Sequence, residues 1–154
     1  MSRPDHCPSC GHVYGNPRSL PDHKRFMKVI DEAERNWPHD HEFQPIGLTE
    51  RKRAKHLRAY LLVECGYVEA TSICEANPEL VSLQLAIANA ASSRKGDFAF
   101  VRVIGGWITV LRPKSINFAT LPQRDFVPLR QAVEECIEIA LGMDTQELLR
   151  AEAA

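Results

Sequence analysis

Long apolar runs are missing from this sequence. None approaches the roughly twenty consecutive residues that a membrane-crossing helix requires, and the opening residues MSRPDHCPSC lack the apolar stretch of a secretory signal. A strong charge of one sign is missing too, since 19 Lys and Arg against 20 Asp and Glu leave a formal net charge of −1. A nucleic-acid partner must then be met by a local basic patch and not by bulk charge. Cysteine is sparse and odd in number: Cys7, Cys10, Cys65, Cys74 and Cys136 cannot all pair. With no secretion signal, they argue for reduced thiols in the cytoplasm. No P-loop, dinucleotide glycine pattern or Gly-flanked hydrolase serine occurs, so nothing points to an enzyme. Internal repeats and low-complexity segments are absent as well.

What is present suits a globular chain. With 154 residues, of which 44% are hydrophobic, the chain is long enough to bury a core. The organising stretch runs from Asp97 to Leu141. Alternating residues Phe98–Ile104 and the run Trp107–Leu111 flank Gly105-Gly106, which predicts a β-hairpin with a primed turn. Pro113 ends the second strand, because it has no N–H to give to a ladder. Beyond it Phe126, Leu129, Val133 and Ile137 recur at helical spacing, and Gly142 closes that helix. The hairpin and the long helix that follows it are expected to bury one face of each against the other. On that helix Glu134, Glu135 and Glu138 are placed on the solvent side, and Trp107 is placed in the core.

The other elements have their own signals. A helix begins near Ser19, with Phe26, Val29, Ile30 and Ala33 on its buried face, and ends at Trp37-Pro38. Thr49 caps a second helix closed by Gly66, with Ala54, Leu57, Tyr60 and Leu61 facing inward. Tyr67–Cys74 reads as a short strand. Asn77, Pro78 and Glu79 read as the cap and first turn of a third helix reaching Ser92, and Asp144 caps a short C-terminal helix. The sum is an α+β fold in which a hairpin or small antiparallel sheet packs against three to four helices. Residues 1–21 form a zinc-knuckle-like segment and residues 22–154 a single α+β domain.

Two groups of side chains carry chemistry. Cys7-Pro-Ser-Cys10-Gly, followed by Tyr14, Leu20 and His23, resembles a two-Cys, two-His zinc finger from Cys7 to His23. Met27, Lys28 and Val29 stand where the second His belongs. A structural zinc wants four ligands, so Cys7, Cys10 and His23 need a fourth from His12, or from His39 or His41 of another subunit. The second group is basic. Arg51, Lys52, Arg53, Lys55, His56 and Arg58 crowd the start of the second helix, where the neighbouring cations favour neutral His56. With Arg18, Lys24, Arg25, Arg112 and Lys114 they supply candidate phosphate contacts, and Tyr14 and Trp107 candidate stacking surfaces. Arg112 and Lys114 could instead pair with Glu134 or Glu138. Cys65 and Cys136 occupy mainly apolar positions and read as inert thiols.

The segments Arg18–Phe26, Asn36-Trp37-Pro38, Cys65-Gly66 and Arg112–Phe118, with Leu121 and Asp125-Phe126 opening the long helix, together resemble a family of phage and prophage proteins of the same length. That family is similar in layout to the NinB (Orf) phage recombination proteins. The resemblance implies a small, homodimeric α+β protein that binds single-stranded DNA in recombination or replication. It also implies a host or phage recombination or replication protein as a partner. Two other functions stay open. One is a protein-binding module that recruits or inhibits a host protein. The other is a metal-dependent nuclease using His39 and His41 beside Asp40.

Overall fold

A computed structural model describes residues 20–93, 97–117 and 121–153 of the chain. Cys7, Cys10, His12, Tyr14 and Arg18 lie outside these residues. Five helices and three strands follow one another as α1 (Leu20–Arg35), α2 (Glu50–Glu64), β1 (Val68–Glu75), α3 (Val81–Ser92), β2 (Phe100–Ile104), β3 (Trp107–Pro113), α4 (Gln123–Leu141) and α5 (Thr145–Ala153). The α+β class expected from the sequence is the one observed. No described helix is long and apolar enough to cross a membrane.

The chain divides into two units, one holding residues up to Leu57 together with those from Ser115 onward, the other Arg58–Lys114. In the first unit α1 packs on α4 and α5. Phe26, Val29, Ile30 and Ala33 recur at three- and four-residue steps and are fully buried. Phe26 meets Phe126 of α4 edge-on, with ring centroids 5.4 Å apart. Leu129, Val133 and Ile137 continue the α4 stripe, and Leu148 is buried on α5. Gly142 ends α4 at φ 70°, a left-handed conformation that other residues resist. Asp144 then accepts the Glu147 N–H at 2.7 Å and caps α5.

Between α1 and α2 the chain makes an ordered loop. The Trp37 indole donates to the Phe43 carbonyl at 2.8 Å, and the Phe43 N–H donates to His41 Nδ1 at 3.0 Å. Buried His56 accepts the Ile46 N–H through Nδ1 at 3.0 Å. The first turn of α2 is capped as expected, the Lys52 N–H donating to Thr49 Oγ1 at 3.2 Å. Gly47 is required here by space: a Cβ at this position would stand 2.7 Å from the Lys52 Cβ and 3.0 Å from the Arg53 nitrogen.

The second unit is built on a three-stranded antiparallel sheet in the order β1-β3-β2. Ile104 pairs with Trp107 across Gly105 and Gly106, whose φ angles of 58° and 81° make the expected primed turn a type I′ turn. On one sheet face lie Ile108, Val110 and Arg112, by the alternation along β3. This face carries α3, which packs on β3 and β2 and ends where the Arg112 guanidinium donates to the Ser92 carbonyl at 2.8 Å. On the other face the end of α2 brings Tyr60 to Phe100, with ring centroids 6.2 Å apart, and Glu64 to Arg102.

Within the sheet unit the hairpin's helical cover is α3 and the end of α2, and within the helical unit α4 packs its stripe on α1 and α5. The structure changes two expectations. Trp107 is 43% exposed, because it sits at the hairpin tip, beyond the ring that packs on Tyr60. Helix α3 opens at Val81. The residues Asn77–Leu80 form a turn first, in which Asn77 accepts the Leu80 N–H through its carbonyl and the Glu79 N–H through its side chain.

Candidate interaction surface

Several of the basic residues singled out by the sequence already have partners within their own unit. Arg53 donates to Glu34 at 2.6 Å and is turned back onto α1. Arg35 bridges Glu32 and Glu50 on the same side. Arg25 lies 3.8 Å from Glu134 and donates to Thr145 at 3.5 Å. Arg112 is committed to Ser92, and the Lys114 ammonium stands 5.8 Å from the centre of the Tyr67 ring, a cation–π distance. Lys24, Arg51 and Lys55 are exposed, and Arg58 is half-buried.

The carboxylates on α4 also differ from expectation. Glu135 faces solvent, but Glu134 is largely buried between Arg25 and Arg130, and Glu138 accepts the Thr145 N–H at 3.1 Å. They tie α4 to its neighbours, because a buried carboxylate needs such partners. Of the candidate metal ligands, His23 lies half-buried on α1 with its ring 6.3 Å from that of Phe126. His41 packs on Trp37 at 4.7 Å and uses Nδ1 within the loop. No group of three or more His, Cys, Asp or Glu able to hold a metal occurs among the described residues. Cys65, Cys74 and Cys136 are half-buried thiols. Burial lowers the His56 pKa; the direction is the one expected from the sequence, but its cause is desolvation and not the neighbouring cations.

An uneven surface lies in the sheet unit, among residues that carry no site motif in the sequence. Helix α3 turns Ala88 and Ser92 inward, yet it has no charged residue from Val81 to Ser92. Its outer side chains Leu83 and Ile87 are 57% and 60% exposed, with Leu80 just before the helix 51% exposed. A helix apolar on all sides is normally covered on all sides. The signal was legible in principle: VSLQLAIANAAS contains too many apolar residues for one buried stripe.

Gln84 fixes which flank of the helix this is. Its side chain donates to the Glu75 carbonyl at 3.0 Å and accepts the Asn77 N–H at 2.8 Å, so it points toward β1. Leu80 and Ile87 are its neighbours at four and three residues along the helix surface. The exposed stripe thus lies on the β1 side of α3, where Ile73, at the bulge between Ser72 and Cys74, is 52% exposed. These four side chains, each about half open, leave on the order of 400 Å² of apolar surface, within the roughly 300–600 Å² of the largest, often functional, patch on a monomer.

No protein family, curated protein or solved structure matches the chain.

Proposed function

We propose that this chain is a non-catalytic protein-binding module whose contact surface is the α3–β1 side of the sheet unit. The observation that carries this reading is the uncharged helix α3 with Leu80, Leu83 and Ile87 turned to solvent beside Ile73. Burying that surface against a partner is favourable by about 25 cal/mol per Å² before the costs of association. The basic residues favour nucleic acid less, because Arg25, Arg53 and Arg112 already have partners within the protein.

Affinity capture with the wild-type chain and an L83K/I87K variant tests the proposal. Both positions are exposed, so the variant keeps its fold. A protein retained by the wild-type chain and lost from the variant, then rebound in purified form with a negative heat-capacity change, is the expected result. Equal capture by both chains would remove the surface from consideration. Single-stranded DNA binding that weakens steeply with salt, and is lost on replacing Arg51, Lys52 and Lys55 by Ala, would restore the recombination reading.

A further inference from the structure

Resting on that binding-module reading, we propose that the partner is a protein that docks an extended segment as a fourth strand on the free edge of β1, its ends carrying Lys or Arg. Three observations meet at this edge. The first is the ladder. β1 is an edge strand, and among the described residues no strand pairs on its outer side. The Lys114 N–H donates to the Tyr67 carbonyl and the Ala76 N–H to the Gly106 carbonyl. With the register Glu69↔Arg112 and Thr71↔Val110, antiparallel alternation sets the backbone groups of Glu69 and Thr71 toward β3. Those of Val68, Ala70 and Ser72 then point away from the sheet, where an added strand would use them.

The second is the open shelf beside the edge. The side chains of β1 from Glu69 to Ile73 are exposed, while α3 packs on β3 and β2. The strand is eight residues long, and its edge carries neither Lys nor Pro but Glu69, Glu75 and the bulge after Ser72. A strand laid along it would send alternate side chains into the angle between β1 and the Leu80–Leu83–Ile87 stripe. Main-chain pairing supplies affinity and side-chain placement supplies specificity in such strand addition.

The third is charge. From Val68 to Ser93 the chain holds Glu69, Glu75 and Glu79 and no Lys, Arg, His or Asp. A nucleic-acid strand would meet only like charge here. A second copy of β1, paired antiparallel about Ser72, would set Glu69 against Glu75. A cationic segment meets neither obstacle, and its Lys or Arg falls opposite the carboxylates at the two ends of the strand.

Fluorescence anisotropy of the full chain with defined peptides tests this. The probes are a labelled peptide alternating Val and Thr between terminal lysines, the same peptide with terminal glutamates, and the lysine peptide N-methylated at its amides on both edges. The lysine peptide should bind about tenfold or more tightly than the glutamate peptide, a difference of about 1.4 kcal/mol. N-methylation should abolish binding, and E69K/E75K should reverse the preference. Equal affinity for both peptides, or binding that survives N-methylation on both peptide edges, would overturn the strand mode. So would a dimer in solution that L83K/I87K dissociates, because the occupant would then be a second copy. If no peptide binds while L83K/I87K still loses the captured partner, strand addition fails and the binding module stands. If neither responds, both fall.

Discussion

The Arg53 guanidinium reaches across 19 residues to hold the Glu34 carboxylate at 2.6 Å, joining the start of α2 to α1. Glu34 is the more buried partner, with 7% of its side chain exposed against 38% for Arg53. Arg53→Ala is therefore expected to lower stability by about 1–3 kcal/mol, mostly by leaving a buried carboxylate without its cation. Arg51→Ala, on the exposed face, should stay within about 0.5 kcal/mol. Urea denaturation of the two variants and of Glu34→Gln/Arg53→Ala checks this. Equal losses for Arg51→Ala and Arg53→Ala would mean that the pair holds nothing.

His56 is expected to give the fold a pH dependence. Its pKa lies below the ordinary value of 6.5 because burial disfavours the imidazolium. Its Nδ1 accepts the Ile46 N–H, which a protonated ring could not do. The unfolded chain thus takes up this proton more readily than the folded one. The contribution to stability is complete above pH 6.5 and declines as pH falls through 6.5 toward the folded pKa. Denaturation midpoints measured across that window should drop for the wild-type chain, and this component should be absent in His56→Gln. A drop of the same size in the variant would assign it to other groups.

Two glycines should resist substitution for different reasons. At Gly47 the obstacle is a neighbour, so Gly47→Ala should cost about 1–3 kcal/mol as the Lys52 turn is pushed aside. At Gly106 a Cβ meets nothing within 4 Å, but the φ of 81° is costly for alanine, about 1–2 kcal/mol. Thermal melts separate the mechanisms: Gly106→Asn should recover most of its loss, whereas Gly47→Asn should be no better than alanine.

Phe126 is fully buried and meets Phe26 edge-on at the α1–α4 contact. Phe126→Ala is expected to cost about 3–5 kcal/mol through lost burial and the cavity left behind. Phe126→Leu should cost much less. Hydrogen exchange can follow the effect along α1, where the amides around Phe26 and Ile30 should lose protection first.

Local grammar made much of the fold legible. Thr49 before Glu50, Gly66 after Glu64, the Gly105-Gly106 pair and the spacing of Phe26, Val29, Ile30 and Ala33 each name an element from within a few residues. The misreadings came where a partner distant in sequence decides. Alternation along β3 separates Trp107 from Ile108 but does not say which face a helix will cover, or where that cover ends. Adjacency in the chain could not show that α3 and the end of α2 cover the hairpin within its own unit. A charge run looks alike whether its members face water or, like Arg53, turn back onto a glutamate. The α3–β1 surface was readable from composition alone, but its position beside a free edge came only with the register.

The division of the chain at Leu57 and Lys114 also sets an order of events during synthesis. The sheet unit is one unbroken stretch, so all of its residues have been made once Lys114 is in place. The helical unit must wait for the 40 residues from Ser115 to Ala154. At ribosomal rates that takes roughly 2–8 s. Throughout this interval Phe26, Val29 and Ile30 are already present while the α4 and α5 residues that cover them are not. The nascent chain is then at its most prone to aggregate, and a chaperone that shields α1 would do most of its work before the last helix is made.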